Sequence, residues 1–521
     1  MSKNIILCSD GTGNKGGYGE DTNVYKMYKA VDIHNPKHPQ ITYYDNGIGA
    51  KENQNKYIQK ISKAFGFGFQ DNITELYEFL VINYNPGDAV FLFGFSRGGA
   101  TVRAFLGLLY ACGLVNRYDD KGKEKNSDLL TAEIAEAFAA YEKTSTFRQA
   151  ANDFRASKAL HDEKHVPNGA LPIQFVGVWD TVSGLGFPKD WSITFGWIFG
   201  LLDEISDKFW PHNFYDYELN ATIKNAYQAL SIDDERKTFH PMVWDESAND
   251  FSGVVEQVWF SGVHSNIGGG YARTGLSNIT MDWILIRATQ HGLVLKSEVE
   301  KGFKANIDTY DRLYDSREGL ASYYCYEPRD IAGLCQTETG KNKLTGKVKV
   351  HNTVLQRIKQ GTTGYAPGFL PYEFDVVETP LKSAVTPVKV AKDKSTWEIC
   401  KEQMLGYVNQ RKWLYRIFAE FTLLVVLISG WMWFNPEIFS LEKSSSLNII
   451  GRFFGHIADI FQYILPAFFE NFIHYVIRIH SWIFVAIVMA IYAMLKWRKH
   501  FKHELNLASK KLCDLLLQNY K

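Results

Sequence analysis

The chain has 521 residues, 15% of them aromatic, and its 57 basic and 57 acidic side chains leave a formal net charge of zero. That balance gives no global pull towards nucleic acid, and no nucleic-acid-binding motif accompanies it. The six cysteines are scattered without C-x-x-C spacing, which argues against a disulfide framework or a zinc site and marks Cys8 and Cys112 as buried thiols of a reducing compartment.

In chain order, strand residues begin by Asn4, so no cleavable signal peptide is expected ahead of them. The strand Asn4 to Cys8 opens into Ser9-Asp10-Gly11-Thr12-Gly13-Asn14. This Asp-Gly-Thr tract resembles that of aspartyl-phosphate phosphatases, but Cys8 stands where their nucleophilic Asp would be. No Gly-Lys-Ser/Thr follows any glycine loop, so a phosphate-binding loop is unsupported. An apolar run, Ile41 to Tyr44, leads to Asp45, read as a loop-shaping acceptor.

The strand Ala89 to Phe95 runs into Gly94-Phe95-Ser96-Arg97-Gly98, and a helix-competent run, Gly99 to Leu109, follows at once. Flanking glycines let the backbone turn tightly enough to lift a serine hydroxyl off the strand end, which is the context a Gly-x-Ser-x-Gly elbow requires. A charged, Ala-rich insert at about 118–164 is expected to form surface helices. The strand Pro172 to Trp179 then ends at Asp180, and Val254 to Val263 ends at His264 within His264-Ser265-Asn266-Ile267-Gly268-Gly269-Gly270. Parallel sheets collect functional side chains at the carboxyl ends of their strands. Ser96 as nucleophile, His264 as base and Asp180 as its orienting acid therefore form the candidate triad. Asp233 and Asp234 offer an alternative acid. The oxyanion donors are the backbone N–H of Arg97 and, from the first loop, Gly11 or Thr12, with Asp10 ordering that loop. A metal site from Asp10, Asp45 and Asp180 has no spacing to specify it, and the chemistry calls for no cofactor.

Between these elements, an insert at 186–214 crowds Phe187, Trp191, Phe195, Trp197, Phe199, Phe209 and Trp210 beside the candidate acid. Such a cluster reads either as an aromatic cap suited to acyl chains or as ordinary core packing.

Six ordered tracts, CSDGTGN (8–14), YYDNGIG (43–49), FLFGFSRGGA (91–100), FVGVWDTV (175–182), ALSIDDER (229–236) and GVHSNIGGGY (262–271), resemble the type VI secretion phospholipase effector-like catalytic family of α/β-hydrolases. A trailing piece, Val354 to Ile358 with Gly364 to Pro371, extends the resemblance over residues 1–372. It implies an α/β-hydrolase-like, mostly parallel sheet flanked by helices. It also implies ester hydrolysis on phospholipids, of phospholipase A type, with Ser96, Asp180 and His264 as the inherited triad. The family usually carries Asp two residues after its histidine; this chain has Asn266, which keeps hydrogen bonding but not charge.

After the catalytic region, 373–410 reads as a tether and 411–521 as a helical membrane region. Ile417 to Phe434 and residues 477–495 are apolar enough to be candidate spans, and tryptophans edge both. Lys401, Arg411, Lys412 and Arg416 precede the first, and Lys496, Arg498, Lys499 and Lys502 follow the second, so that if both cross, the positive-inside bias puts the catalytic domain and the C-terminus together in the cytoplasm. Apolar residues recur with helical period from Ile449 to Ile477, kinked by Pro466, as an amphipathic helix for the membrane interface or a homo-oligomer. The expected function is a membrane-anchored esterase acting on phospholipid or related lipid esters. The rival is a catalytically weak membrane scaffold that reuses the fold for binding or assembly.

Overall fold

The computed structural model describes residues 2–47, 68–142, 148–183, 215–248, 250–379, 386–436 and 449–520. The aromatic insert at 186–214 lies outside them.

Nine strands form one sheet: β1 (Asn4–Ser9), β2 (Gln40–Asp45), β3 (Ala89–Phe95), β4 (Ile173–Trp179), β5 (Asn225–Ser231), β6 (Val254–Phe260), β7 (Lys349–His351), β8 (Glu373–Val377) and β9 (Thr386–Lys389). Their order is β2-β1-β3-β4-β5-β6-β7-β8-β9. Every neighbouring pair is parallel except β8 with β9. The fold is therefore the mostly parallel α/β sheet that the strand pattern anticipates.

Helices cover both faces, so the central strands are apolar on both sides. Along β3, Val90 and Leu92 join one core while Phe91, Phe93 and Phe95 join the opposite one. The first core is closed chiefly by α2 (Phe69–Asn83) and α3 (Arg97–Cys112), while α1 (Asn23–Ala30) joins the opposite core through Val24 and Met27. The insert at 118–164 forms α4 (Ser127–Glu142) and α5 (Arg148–Lys158), whose Ile134, Phe138, Tyr141 and Phe154 complete that core. On the other face lie the short helix α6 (His264–Gly268) and α7 (Gly275–Gln290), with α8 (Ser297–Ala305) beside them.

The segment read as a tether contains β8 and β9 and the start of a long helix. Alternating Phe374 and Val376, facing Val388, bury one side of this two-strand edge. Strands of four and five residues are too short for their alternation to stand out in a Val-, Pro- and Lys-rich stretch. After α9 (Asn352–Gln360), the chain reaches α10 (Lys394–Phe434), α11 (Ile449–Ile464) and α12 (Ser481–Asn519). In α10, Cys400, Met404, Val408, Tyr415 and Ala419 make a stripe that packs with Leu505, Ala508, Leu512 and Leu516 of α12 against the β7–β9 end of the sheet. The other halves of both helices are apolar and largely exposed: Leu424, Leu427, Trp431 and Phe434 in one, Trp482, Val485, Met489 and Tyr492 in the other, face outward. By length and composition both helices suffice to cross a membrane. The amphipathic stretch is broken more completely than a kink. Pro466 has no N–H for the helical ladder and its ring disfavours helix at Leu465, so α11 stops at Ile464 and short turns lead on to α12.

Candidate active site

The strand order reverses at β1, so a crevice lies outside the carboxyl ends of β1 and β3. The two loops that border it are the glycine loop after β1 and the elbow after β3. Ser96 occupies the elbow with φ 58° and ψ −126°, a conformation that side-chain-bearing residues rarely adopt. Close backbone approach holds it there. A Cβ on Gly98 would sit 2.2 Å from the Ser9 carbonyl oxygen, and one on Gly94 would sit 2.7 Å from that of Gly98.

The loops after β3, β4 and β6 bring together residues far apart in the chain. His264 Nε2 lies 2.8 Å from Ser96 Oγ, and His264 Nδ1 lies 2.6 Å from Asp180 Oδ2. All three residues are buried. Burial carries His264 below its ordinary pKa of 6.5 in spite of the Asp180 hydrogen bond, so the ring is neutral at neutral pH. Its faces are covered by Phe95, 4.7 Å between ring centroids, and by the edge of Phe239 at 4.9 Å.

Asp180 is compensated by a residue that sequence patterning did not single out. Arg329 donates to Oδ1 at 2.6 Å and to Oδ2 at 2.8 Å, and the Ser231 N–H donates to Oδ1 at 2.9 Å. Arg329 is itself fixed by the carbonyl oxygens of Ser231 and Phe239. Burial alone would raise the Asp180 carboxyl; the Arg329 charge, with hydrogen bonds from His264 and Arg329, holds it well below the usual carboxylate range. No motif contains Arg329, and only the fold brings it to Asp180.

The alternative acids do other work. Asp234 accepts the backbone N–H of His264 at 3.1 Å and pairs with Arg236 at 2.7 Å, while Asp233 accepts the Gly262 N–H at 2.6 Å and the Tyr365 hydroxyl at 3.0 Å. Neither meets the His264 ring. Asp233 is desolvated, and its carboxyl is pushed up to about 7.

Around the glycine loop, Asp10 accepts from the Gly11 N–H, Asn14 Nδ2, Thr22 Oγ1 and the Tyr44 hydroxyl. Asp45 accepts from Ser9 Oγ at 3.0 Å, and its carbonyl takes the Asp10 N–H. Asp10, Asp45 and Asp180 thus already hold hydrogen-bond donors, and no cluster suited to a metal occurs among the described residues. A Cβ on Gly11 would lie 3.1 Å from that of Ser96, so this loop abuts the elbow serine. The Gly11 N–H is occupied by Asp10, whereas that of Thr12 meets no acceptor among the described residues. The Thr12 hydroxyl is also buried without a partner. Asn266 acts structurally: its Oδ1 accepts the Val263 N–H and its Nδ2 donates to the Arg312 carbonyl, each at 3.3 Å. An amide supplies both roles, and a carboxylate could not make the second. The cysteines are all buried and free.

Residues 3–287 match the family described as T6SS, phospholipase effector Tle1-like, catalytic domain. Over 202 residues the chain is 29% identical to the uncharacterized protein YEL023C of Saccharomyces cerevisiae, a match that covers 36% of this chain and 28% of the yeast protein. Among solved structures it is similar to an uncharacterized protein from Pseudomonas aeruginosa, with a TM-score of 0.32 and 15% identity over 62% of this chain and 50% of the other. The Tle1 effector bound to the VgrG spike of the type 6 secretion system is a further neighbour, with a TM-score of 0.28 and 18% identity over 53% of this chain and 52% of the other. The chain thus spans under a third of the yeast relative and about half of each solved chain.

Proposed function

Since the chain belongs to the Tle1-like phospholipase effector catalytic family, we propose that it is a membrane-anchored serine hydrolase cleaving carboxylic ester bonds of phospholipids. The observation that carries this reading is His264, which bridges Ser96 and Asp180 at 2.8 and 2.6 Å on the carboxyl edge of the sheet.

In the reaction, neutral His264 Nε2 takes the Ser96 proton as Oγ attacks the ester carbonyl carbon. Asp180 holds Nδ1 protonated and stabilises the imidazolium that forms. The backbone N–H groups of Thr12 and Arg97 receive the oxyanion. Collapse of the tetrahedral intermediate breaks the ester C–O bond, and His264 returns its proton to the departing lysophospholipid oxygen. A water then attacks the acyl-serine and loses its proton to His264, which passes it to Ser96 Oγ as the acyl C–O bond breaks and the fatty acid leaves.

Membrane anchoring rests on the exposed apolar side chains of α10 and α12. Ile417 to Phe434 is about 27 Å of helix, close to the hydrocarbon thickness of a bilayer. The basic residues at the catalytic-domain end of both helices favour a cytoplasmic catalytic domain.

A fluorophosphonate probe tests the nucleophile. Labelling of wild type at Ser96, lost in His264→Ala, is the expected outcome; an unlabelled but folded wild type favours the scaffold reading instead.

A further inference from the structure

Where α10 and α12 leave the catalytic region they enclose, with the loop that carries Arg317, a cavity of about 180 Å³. Its apolar side comes from both candidate spans: Phe418 lies at the start of the first apolar run, and Ile491 and Leu495 lie at the end of the second. The cavity therefore sits at the level where both helices pass from apolar to basic sequence.

Its polar side is made by Arg317, Arg411 and Arg498, and no carboxylate lines it. Arg411 is paired with Glu235 at 3.1 and 3.2 Å. Arg317 and Arg498 form no ion pair among the described residues. Arg317 is only 5% exposed; one terminal nitrogen donates to the carbonyls of Ser322 and Tyr324, and its Nε–H finds no acceptor. Burial lowers its pKa; nearby Glu235 opposes that shift, and the charges of Arg498 and Arg411 add to it. Two guanidinium groups without an ion-pair partner among the described residues, beside an apolar groove at headgroup depth, fit a ligand with an anionic head and a hydrocarbon tail. No carboxylate lines the cavity to receive the cation of a zwitterionic lipid.

We propose that this cavity binds the phosphate of an anionic phospholipid, with Arg317 and Arg498 donating to its oxygens and an acyl chain running between Phe418 and Met494. The site rests on the reading that α10 and α12 enter the bilayer. It holds a resident lipid that seats the catalytic domain on an anionic leaflet, and it is separate from the Ser96 crevice.

The test uses the full chain in detergent with diether phosphatidylglycerol or diether phosphatidylcholine, which an esterase does not cleave, and reads retained lipid by native mass spectrometry. Its outcome is thus independent of the hydrolase reading. Phosphatidylglycerol should be retained at least several-fold more than phosphatidylcholine, and Arg498→Gln should weaken retention about tenfold, the loss of one charge-assisted hydrogen bond. Met494→Trp, which fills the groove without changing charge, should do the same, while Ser96→Ala should not. Equal retention of the two lipids, or retention unaffected by both cavity variants, overturns the site. Displacement of phosphatidylglycerol by millimolar inorganic phosphate, with no dependence on Met494, overturns the lipid as its source. Membranes washed with alkaline carbonate separate the premises: release of the protein overturns the membrane reading and the site with it, whereas resistance to extraction leaves the lipid preference to decide the site.

Discussion

Arg329 grips both carboxylate oxygens of Asp180, at 2.6 and 2.8 Å, across 149 residues of chain, with neither side chain exposed. The carboxylate that meets His264 Nδ1 is thereby kept ionised in a place where burial alone would neutralise it. Removing one partner of a buried pair strands the other, which costs about 3–5 kcal/mol. Arg329→Gln should lose stability on that scale. Without the cation, protons are held more tightly by both Asp180 and His264, so the acid limb of the kcat profile should move to higher pH with KM little altered. Arg329→Lys should restore part of the shift. Chemical denaturation and a pH–rate profile provide the readouts, and an unmoved acid limb in a folded Gln variant would contradict the role.

His264 itself predicts the wild-type pH dependence. Its folded pKa is depressed below 6.5, so the neutral base persists through neutral and mildly acidic solution. Activity should hold from pH 7 to about 6.5 and fall only below that. The same depression makes this contribution to stability complete above the unfolded pKa and lost as pH falls through the folded value. His351, buried against Phe260 and lowered to about 3, acts in the same direction. Acid unfolding followed by circular dichroism should therefore be less steep in His351→Gln.

The oxyanion assignment separates Thr12 from Gly11, because the Gly11 N–H is already held by Asp10. Thr12→Pro deletes the donor and should reduce kcat by about 10²–10³, the usual effect of losing one such group. Thr12→Ser keeps the N–H and should remain near wild type. Steady-state kinetics on both variants distinguishes backbone from hydroxyl, and an inactive Ser variant would move the role to the side chain.

Asp233 carries a linkage of opposite sign. With its folded pKa raised to about 7, its stabilising, protonated form is fully present below the ordinary 3.8 and is lost as pH rises through 7. Asp233→Asn should flatten the dependence of Tm on pH between about 4 and 7. Because Asp233 does not touch the His264 ring, ester hydrolysis should persist in this variant. Loss of turnover with Tm intact would revive it as the orienting acid.

Much of the site was legible because each part of it ends an apolar strand. Ser96, Asp180 and His264 follow β3, β4 and β6, and the glycines around Ser96 announce the tight turn. Arg329 was not legible: it lies in an irregular loop, carries no periodicity, and reaches Asp180 only because β4 and β5 are neighbours. Gly11 and Thr12 were equivalent in sequence, since only the three-dimensional loop shows Asp10 turning back onto one of them. β8 and β9 were missed because a pair of short strands gains its stability from the packing of Phe374 and Val388 under α10 rather than from local pattern. Helical period carried across Pro466 because periodicity records which faces are apolar, not whether the backbone hydrogen bonds continue.

The central claim is that Ser96 cleaves acyl esters of phospholipids. Its most direct test is mass spectrometry of the products formed when the wild-type chain and Ser96→Ala are each incubated with mixed phospholipids in detergent. The account predicts lysophospholipid and free fatty acid in equal amounts from wild type and none above background from the variant. Equal product from both proteins, or none from a folded wild type on any lipid or simple ester, would contradict it.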